Sequence, residues 1–114
     1  MTGFSPQVRA IITSRSGRYC EIGLNGCTDR AVHKHHRRCR GMGSTKRPET
    51  NQAANGLDAC LHCHAWVESH RREAYEYGWL VRQTEEPRDI PLLYRGSWVT
   101  LDDLGNLLDV GGAA

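Results

Sequence analysis

Two stretches of sequence decide the fold of this chain, His33-Lys34-His35-His36-Arg37-Arg38 and Cys60-Leu61-His62-Cys63-His64-Ala65-Trp66-Val67-Glu68. The first predicts a strand, which would place His33 and His35 on one side and His36 on the other. The second favours a helix that continues to Tyr77 and ends at Gly78. Because both stretches are rich in side chains that bind metal ions, we expect the fold to be built around metal.

The composition also favours a fold that needs a metal. At 114 residues the chain is long enough for one domain, and its apolar content of 39% with a single Phe predicts a thin core. No segment resembles a secretory signal or a membrane span. We therefore expect a soluble, cytoplasmic protein with no membrane partner, in a compartment where its five cysteines would bind metal and not form disulfides.

The charge is unevenly distributed along the chain. Residues 1–72 contain 12 Lys and Arg against 5 Asp and Glu, whereas residues 73–114 contain 3 against 8. The basic part predicts contact with a polyanion, and the acidic part predicts a solvated surface or a contact with a protein partner.

Several shorter elements can be predicted around the two stretches. Ser5 as N-cap, Pro6 at the first turn and Gly17 as the stop predict an N-terminal helix. A long loop, 37–55, follows the predicted strand, and loops of this length are usually functional. Residues 56–59 can form a returning strand, which would make a hairpin with this loop at its tip.

The C-terminal part is predicted to be an extension of the metal-binding domain. Trp79-Leu80-Val81 predicts a strand, and a terminal hairpin is expected around the Arg95-Gly96-Ser97 turn. We therefore divide the chain into a metal-binding domain, 1–82, and an acidic extension, 83–114, that ends in a disordered tail from Gly111.

Four cysteines have the spacing of a structural zinc site. They form one C-x6-C pair and one C-x2-C pair, Cys20, Cys27, Cys60 and Cys63. Four thiolates complete a closed tetrahedral zinc site, and the turn at Asn25-Gly26 would have to close the wider pair. Two alternatives stay open, since some cysteines could be buried apolar residues and His62 could replace one as a ligand.

The histidines predict a second, open site. His64 and Glu68 are four residues apart on the predicted helix and therefore project side by side. Together with His35 they could hold one ion and leave positions for water and a substrate oxygen. His36, on the other side of the strand, would stay unligated, and its ordinary pKa near 6.5 suits it to accept a proton from water.

These residues resemble the HNH endonucleases with the ββα-metal fold, and especially their small phage and actinobacterial members. The resemblance is carried by His35-His36, the loop 37–43, Asn55, the pair Cys60 and Cys63, and the run 64–68. It implies an α+β, treble-clef-like domain stabilised by zinc, with an N-terminal helix and a C-terminal strand or hairpin extension.

The resemblance also implies a role for each motif residue. His35 and His64 would be ligands of a catalytic divalent ion such as Mg²⁺, Mn²⁺, Ni²⁺ or Zn²⁺, and His36 would be the general base. Asn55 would brace the loop and orient that base. Glu68 stands where some relatives have a further His, and a carboxylate suits Mg²⁺ or Mn²⁺. The implied reaction is hydrolysis of a DNA phosphodiester that leaves 5′ phosphate and 3′ hydroxyl ends.

Basic residues near the predicted site would hold the DNA backbone, a contact that positions the duplex without reading its sequence. Those predicted to do so are Lys34, Arg37, Arg38, Arg40, Lys46, Arg47, Arg71 and Arg72.

Two other functions are compatible with the same residues. One is a non-catalytic zinc module that binds nucleic acid through the basic loop. The other is an accessory subunit of a phage DNA-packaging machine, in which the acidic segment would dock a terminase or another packaging protein. Either the nuclease or the accessory subunit could be phage-encoded and act in the cytoplasm of a bacterial host.

Overall fold

The computed structural model describes residues 3–39 and 48–110. Within these ranges the chain forms a small α+β fold with three helices and two small antiparallel sheets. The helices and strands are α1 (Pro6–Ser16), β1 (His33–His36), β2 (Gly56–Ala59), α2 (Leu61–Ser69), α3 (Arg71–Glu76), β3 (Leu92–Tyr94), β4 (Ser97–Leu101) and β5 (Leu107–Asp109).

Helix α1 has the predicted caps. The Ser5 side chain accepts a hydrogen bond from the Val8 N–H, and Gly17 ends the helix in the left-handed conformation with φ of 69°. The buried Ile12 packs with Phe4 and Ala53 in a small cluster on one side of the first sheet. The predicted N-terminal helix is therefore confirmed.

The first sheet is the predicted hairpin of β1 and β2, with His33 opposite Ala59 and His36 opposite Gly56. A Cβ atom on Gly56 would lie 2.4 Å from the Ile12 side chain, so glycine allows α1 to approach the hairpin closely. The part of the connecting loop that the structure describes contains two short 3₁₀ turns, Pro48–Asn51 and Ala53–Asn55.

The predicted single helix up to Tyr77 is wrong in one respect, because it is interrupted at His70. The His70 ring stacks on Trp66 with centroids 4.3 Å apart, and its Nδ1 lies 3.0 Å from the Trp66 carbonyl oxygen. The His70 backbone leaves the helical region, with φ of −129° and ψ of 55°. The chain therefore forms two consecutive helices, α2 and α3.

The predicted strand at Trp79-Leu80-Val81 is also wrong. This segment is buried but irregular, since the Trp79 and Leu80 N–H groups both donate to the Ala74 carbonyl. The Val81 N–H donates to the carbonyl of Arg37, just after β1. The apolar run thus predicts burial correctly, but its hydrogen bonds do not form a ladder.

The C-terminal segment forms the predicted hairpin of β3 and β4, with β5 added as a third strand. Its buried residues Leu92, Tyr94, Val99 and Leu101 belong to the same core cluster as Cys60 and the other buried cysteines. The boundary proposed at residue 82 therefore does not separate two cores. The tail from Gly111, expected to be disordered, lies outside the described residues.

In the described part of the chain, no helix is long and apolar enough to cross a lipid bilayer.

Candidate metal centres

The four predicted cysteines meet at one point. The sulfur atoms of Cys20, Cys27, Cys60 and Cys63 all lie within 4.8 Å of one another. The Sγ atoms of Cys27 and Cys60 are 3.7 Å apart. A tetrahedral zinc ion with Zn–S bonds of about 2.3 Å places its sulfurs about 3.8 Å apart, so this cluster is compatible with a structural zinc site.

Backbone N–H groups surround these sulfur atoms. Cys60 is the N-cap of α2, and its Sγ accepts from the N–H groups of Cys63 and Thr28 at 3.3 and 3.4 Å. Burial raises the pKa of the Cys60 thiol, but the hydrogen bonds from Thr28 and Cys63 outweigh it and lower the pKa to about 6. The fold therefore favours the thiolate, the form that binds zinc, at this position.

At two other cysteines the net shift of the thiol pKa is upwards, unlike at Cys60. Burial raises the pKa of Cys63 and of Cys27, because both thiolates would be poorly solvated and close to other sulfur atoms. A divalent ion would offset this repulsion, which is the usual coupling of structural zinc to folding.

His62 does not join the cysteine cluster, which decides against one of the sequence alternatives. Its Nε2 lies 3.0 Å from the Asn25 carbonyl oxygen, and its ring covers Gly26, where a Cβ would lie 2.8 Å from Nε2. Gly26 adopts φ of 92°. His62 therefore closes the turn that carries Cys27 and lies outside the candidate ligand set of four cysteines.

The second predicted ligand group also comes together. One ligand atom each from His35, His64 and Glu68 lies within 4.8 Å of the others. Nε2 of His64 and Oε2 of Glu68 are 3.9 Å apart. His35 is buried, His64 is half-buried and Glu68 is exposed, so the group opens towards solvent on the Glu68 side.

The His35 ring is held in one orientation. Its Nε2 lies 2.8 Å from the Trp79 carbonyl oxygen, which can only accept, so Nε2 is the donor and Nδ1 keeps the lone pair. Metal-binding histidines commonly bond a carbonyl in this way. Burial lowers the pKa of His35 to about 4, which keeps the imidazole neutral and able to bind an ion at pH 7.

The His64 ring lies between two other groups. It stacks on His33 with centroids 4.3 Å apart, and it faces Glu68 one turn along α2. Burial, followed by the nearby His33, lowers the pKa of His64, while Glu68 partly opposes the shift. Both histidines of the group are therefore neutral at pH 7.

His36 leaves β1 towards α1, on the side opposite His35. Its ring stacks on Phe4 with centroids 4.0 Å apart and an interplanar angle of 10°. Its Nε2 lies 3.0 Å from the side-chain oxygen Oδ1 of Asn51. Sequence reasoning missed Phe4 and Asn51, because neither lies near His36 in the chain or belongs to a recognised motif.

Asn55 is buried and braces the loop after β1. Its Oδ1 accepts from the Arg38 N–H at 2.7 Å, and its Nδ2 donates to the carbonyls of Arg38 and Thr50. The amide thus links both ends of the loop, which agrees with the bracing expected of it.

The prediction that Arg37 and Arg38 hold DNA is wrong, because both side chains are buried. Arg37 donates to backbone carbonyls of Gly78, Ala54, Pro87 and Ile90. Arg38 donates to Glu85 O and Thr50 Oγ1.

The other predicted DNA contacts have different positions. Arg71 and Arg72 are exposed on α3, and Lys34 is half-buried with its Nζ 2.9 Å from Asp58 Oδ1. The remaining three, Arg40, Lys46 and Arg47, lie outside the described residues.

Comparisons with protein-family models, with curated proteins and with solved structures give no match. The geometry of the two ligand clusters is therefore the basis on which a function can be assigned.

Proposed function

We propose that this chain is a metal-dependent endonuclease that hydrolyses DNA phosphodiester bonds in the manner of the HNH enzymes it resembles. The observation that carries the proposal is the group His35, His64 and Glu68, which lies directly beside the cysteine cluster because Cys63 and His64 are neighbours on α2. A closed ligand set beside an open ligand set is an arrangement in which a structural ion can position a reactive ion.

The open group has the properties that a hydrolytic metal site requires. Among the described residues three candidate ligands converge there, and the Glu68 side chain is 51% exposed, so water and a phosphate oxygen have access. Two imidazoles with one carboxylate suit Mn²⁺, Ni²⁺ or Zn²⁺ better than Mg²⁺. A divalent ion held there would polarise the scissile phosphate and neutralise the leaving oxygen.

In this proposal His36 is the general base. The contact with Asn51 makes Nε2 the hydrogen-bond donor, and the stacked Phe4 ring limits rotation of the imidazole, so the ring is held in one orientation. Asn55 fixes the backbone that follows His36 and so holds the base at the end of β1.

A plasmid-nicking assay tests the proposal. Zinc-loaded protein is incubated with supercoiled DNA and Mg²⁺, Mn²⁺ or Ni²⁺, and His36→Ala and His64→Ala are compared with His70→Ala, a change at an exposed histidine outside both clusters. We expect nicking by wild type and His70→Ala and a loss of at least a hundredfold in the other two. An inert wild type with all three metals, or full activity of His36→Ala, would reject it.

Two observations favour a second function, that of a non-catalytic zinc module that binds nucleic acid. The cysteine cluster is complete on its own, and His36 lies on the opposite side of β1 from His35. This alternative predicts one tightly bound zinc ion and salt-dependent DNA binding, with no nicking under any of the metal conditions above.

A further inference from the structure

Because Arg37 and Arg38 are buried, they do not contribute to the exposed positive charge of the molecule. Arg15 is also buried and forms a bidentate ion pair with Glu21, with N–O distances of 2.7 and 2.8 Å. These three guanidinium groups are bound within the fold, so they cannot meet a polyanion without unfolding it.

Three exposed arginines gather instead along the groove between α1 and β1. Two adjoining depressions of about 310 and 610 Å³ share Thr13, Arg18 and Lys34 in their walls. Arg30 lines the first, and Arg9 lines the second. We call these two depressions together the α1/β1 groove.

The groove has a net positive charge. Asp58, the acidic residue among the described ones that line the groove, is paired with Lys34 and also accepts a hydrogen bond from the Ser16 hydroxyl. Within residues 3–39 and 48–110, no side-chain hydrogen bond or ion pair engages the guanidinium groups of Arg9, Arg18 and Arg30. Three cations therefore remain available to a ligand.

The positions of these arginines are fixed by the backbone. Gly17 turns the chain back at the end of α1, and the Arg18 carbonyl accepts a hydrogen bond from the Ala31 N–H at 3.1 Å. An isolated bridge pairs Tyr19 with Arg30. Arg18 and Arg30 are thus held side by side at one end of the groove, with Arg9 further along α1.

We infer that the α1/β1 groove binds the phosphate backbone of duplex DNA. From Arg9 to the end of α1 the helix rises about 10 Å, a length that corresponds along the duplex axis to about three phosphates of one strand. Hydroxyl groups of Thr13 and Ser14 lie in the same wall, and Ser and Thr commonly contact phosphate beside Arg. Of the residues that the structure describes, none with an aromatic ring lines either depression, which disfavours single strands, since these bind by stacking their bases.

The groove lies on the same side of β1 as His36, the general base of the proposed nuclease. Lys34 and His36 are two residues apart on β1 and therefore share the strand face that is turned towards α1. DNA along the groove would thus approach the proposed base from the α1 side. This relation rests on the proposed function, whereas the binding itself does not.

Fluorescence anisotropy with a labelled 20-base-pair duplex tests the inference, using the zinc-loaded full chain with no other divalent metal. The test variant is Arg9→Gln/Arg30→Gln, and the control Arg82→Gln/Arg88→Gln removes the same charge from exposed arginines elsewhere. We expect the test variant to lose about tenfold in duplex affinity and the control less than threefold. Arg9→Lys/Arg30→Lys is expected to retain most of the affinity, because the charges remain.

The salt dependence gives a second readout. Loss of two phosphate contacts should reduce the slope of log K against log salt by about two in the test variant and leave it unchanged in the control. Equal effects of both variants, no effect of the test variant, or tighter binding of a single strand than of the duplex would overturn the inference. Circular dichroism and zinc content verify that all variants are folded.

The two proposals fail in different ways. If wild type binds through the groove but never nicks DNA, the groove stands and the nuclease fails. If wild type nicks DNA and Arg9→Gln/Arg30→Gln binds duplex as tightly as wild type, the nuclease stands and the groove fails.

Discussion

Nε2 of His35 lies 2.8 Å from the carbonyl oxygen of Trp79 and donates a hydrogen bond to it. Trp79 is held in turn by its indole Nε1–H, which donates to the Leu93 carbonyl on β3 at 2.7 Å. One candidate metal ligand is therefore oriented by the segment after α3, and that segment is anchored to the C-terminal sheet. The open metal group depends on a part of the chain that the sequence presents as an extension.

The burial of His35 predicts a pH dependence of stability, because burial lowers the pKa of the imidazole although the hydrogen bond to Trp79 opposes the shift. The folded pKa of about 4 lies below the unfolded value near 6.5, so the unfolded chain binds the additional proton as the pH falls. Stability from this group is complete above pH 6.5 and decreases towards pH 4. In zinc-loaded protein without other metals, we expect wild type to lose about 1 kcal/mol more than His35→Gln between pH 7.5 and 5.5. Urea denaturation measures both, and parallel pH profiles would contradict the prediction.

Removal of zinc should abolish nicking even when the catalytic metal is in excess. The cysteine cluster holds the start of α2, and His64 and Glu68 lie on the same helix, so loss of the ion would release both ligands. Treatment with a zinc-selective chelator followed by Mn²⁺ should give no nicking and a reduced circular dichroism signal, and added zinc should restore both. A zinc-free protein that remained folded and active would disprove this dependence.

Arg37 should be required for stability and not for DNA binding. Replacing it with Met would remove the hydrogen bonds that it donates to four backbone carbonyls, one of which, Pro87 O, retains the Ile90 N–H as a donor, at a cost of about 3–5 kcal/mol in the free energy of unfolding. Arg71→Met, on the exposed face of α3, should cost less than about 0.5 kcal/mol. Denaturant titration compares the two, and similar losses would show that Arg37 has no special structural role.

The C-terminal sheet should be part of the folding unit. Leu92→Ala removes a fully buried side chain and is expected to cost about 2–5 kcal/mol, whereas Leu108→Ala, on the exposed strand β5, should cost little. Thermal unfolding separates these outcomes, and equal melting temperatures would argue that the sheet folds independently. Deletion of residues 83–114 is therefore expected to unfold the chain.

Asn51 should act by positioning His36. We expect Asn51→Ala to lower the nicking rate by about tenfold with unchanged zinc content, because the His36 ring loses the acceptor that orients it. Asn51→Asp retains an acceptor oxygen and should recover much of the rate, with the activity profile shifted to higher pH by the added carboxylate. Activity of Asn51→Ala equal to wild type at every pH would exclude this role.

Much of the fold follows from local signals in the sequence. The caps of α1 at Ser5 and Gly17, the strands of the β1 and β2 hairpin and the four clustered cysteines all appear as predicted. The caps and the strands depend on short-range chemistry: a side chain that caps its own helix, or alternation along a strand. Each pair of cysteines and the pair His64 and Glu68 are also local, but the fold has to bring Cys20 and Cys27 to Cys60 and Cys63, and His35 to His64.

Only the tertiary structure decides which positive charges are available. Arg37 and Arg38 stand in a basic run that is typical of a solvated surface, yet carbonyls from segments 17 to 53 residues away in sequence bind the Arg37 guanidinium. A guanidinium group is buried only where distant backbone segments supply acceptors, and no local pattern encodes that supply. The interruption at His70 and the charge of the α1/β1 groove depend likewise on neighbours that the folded chain brings together.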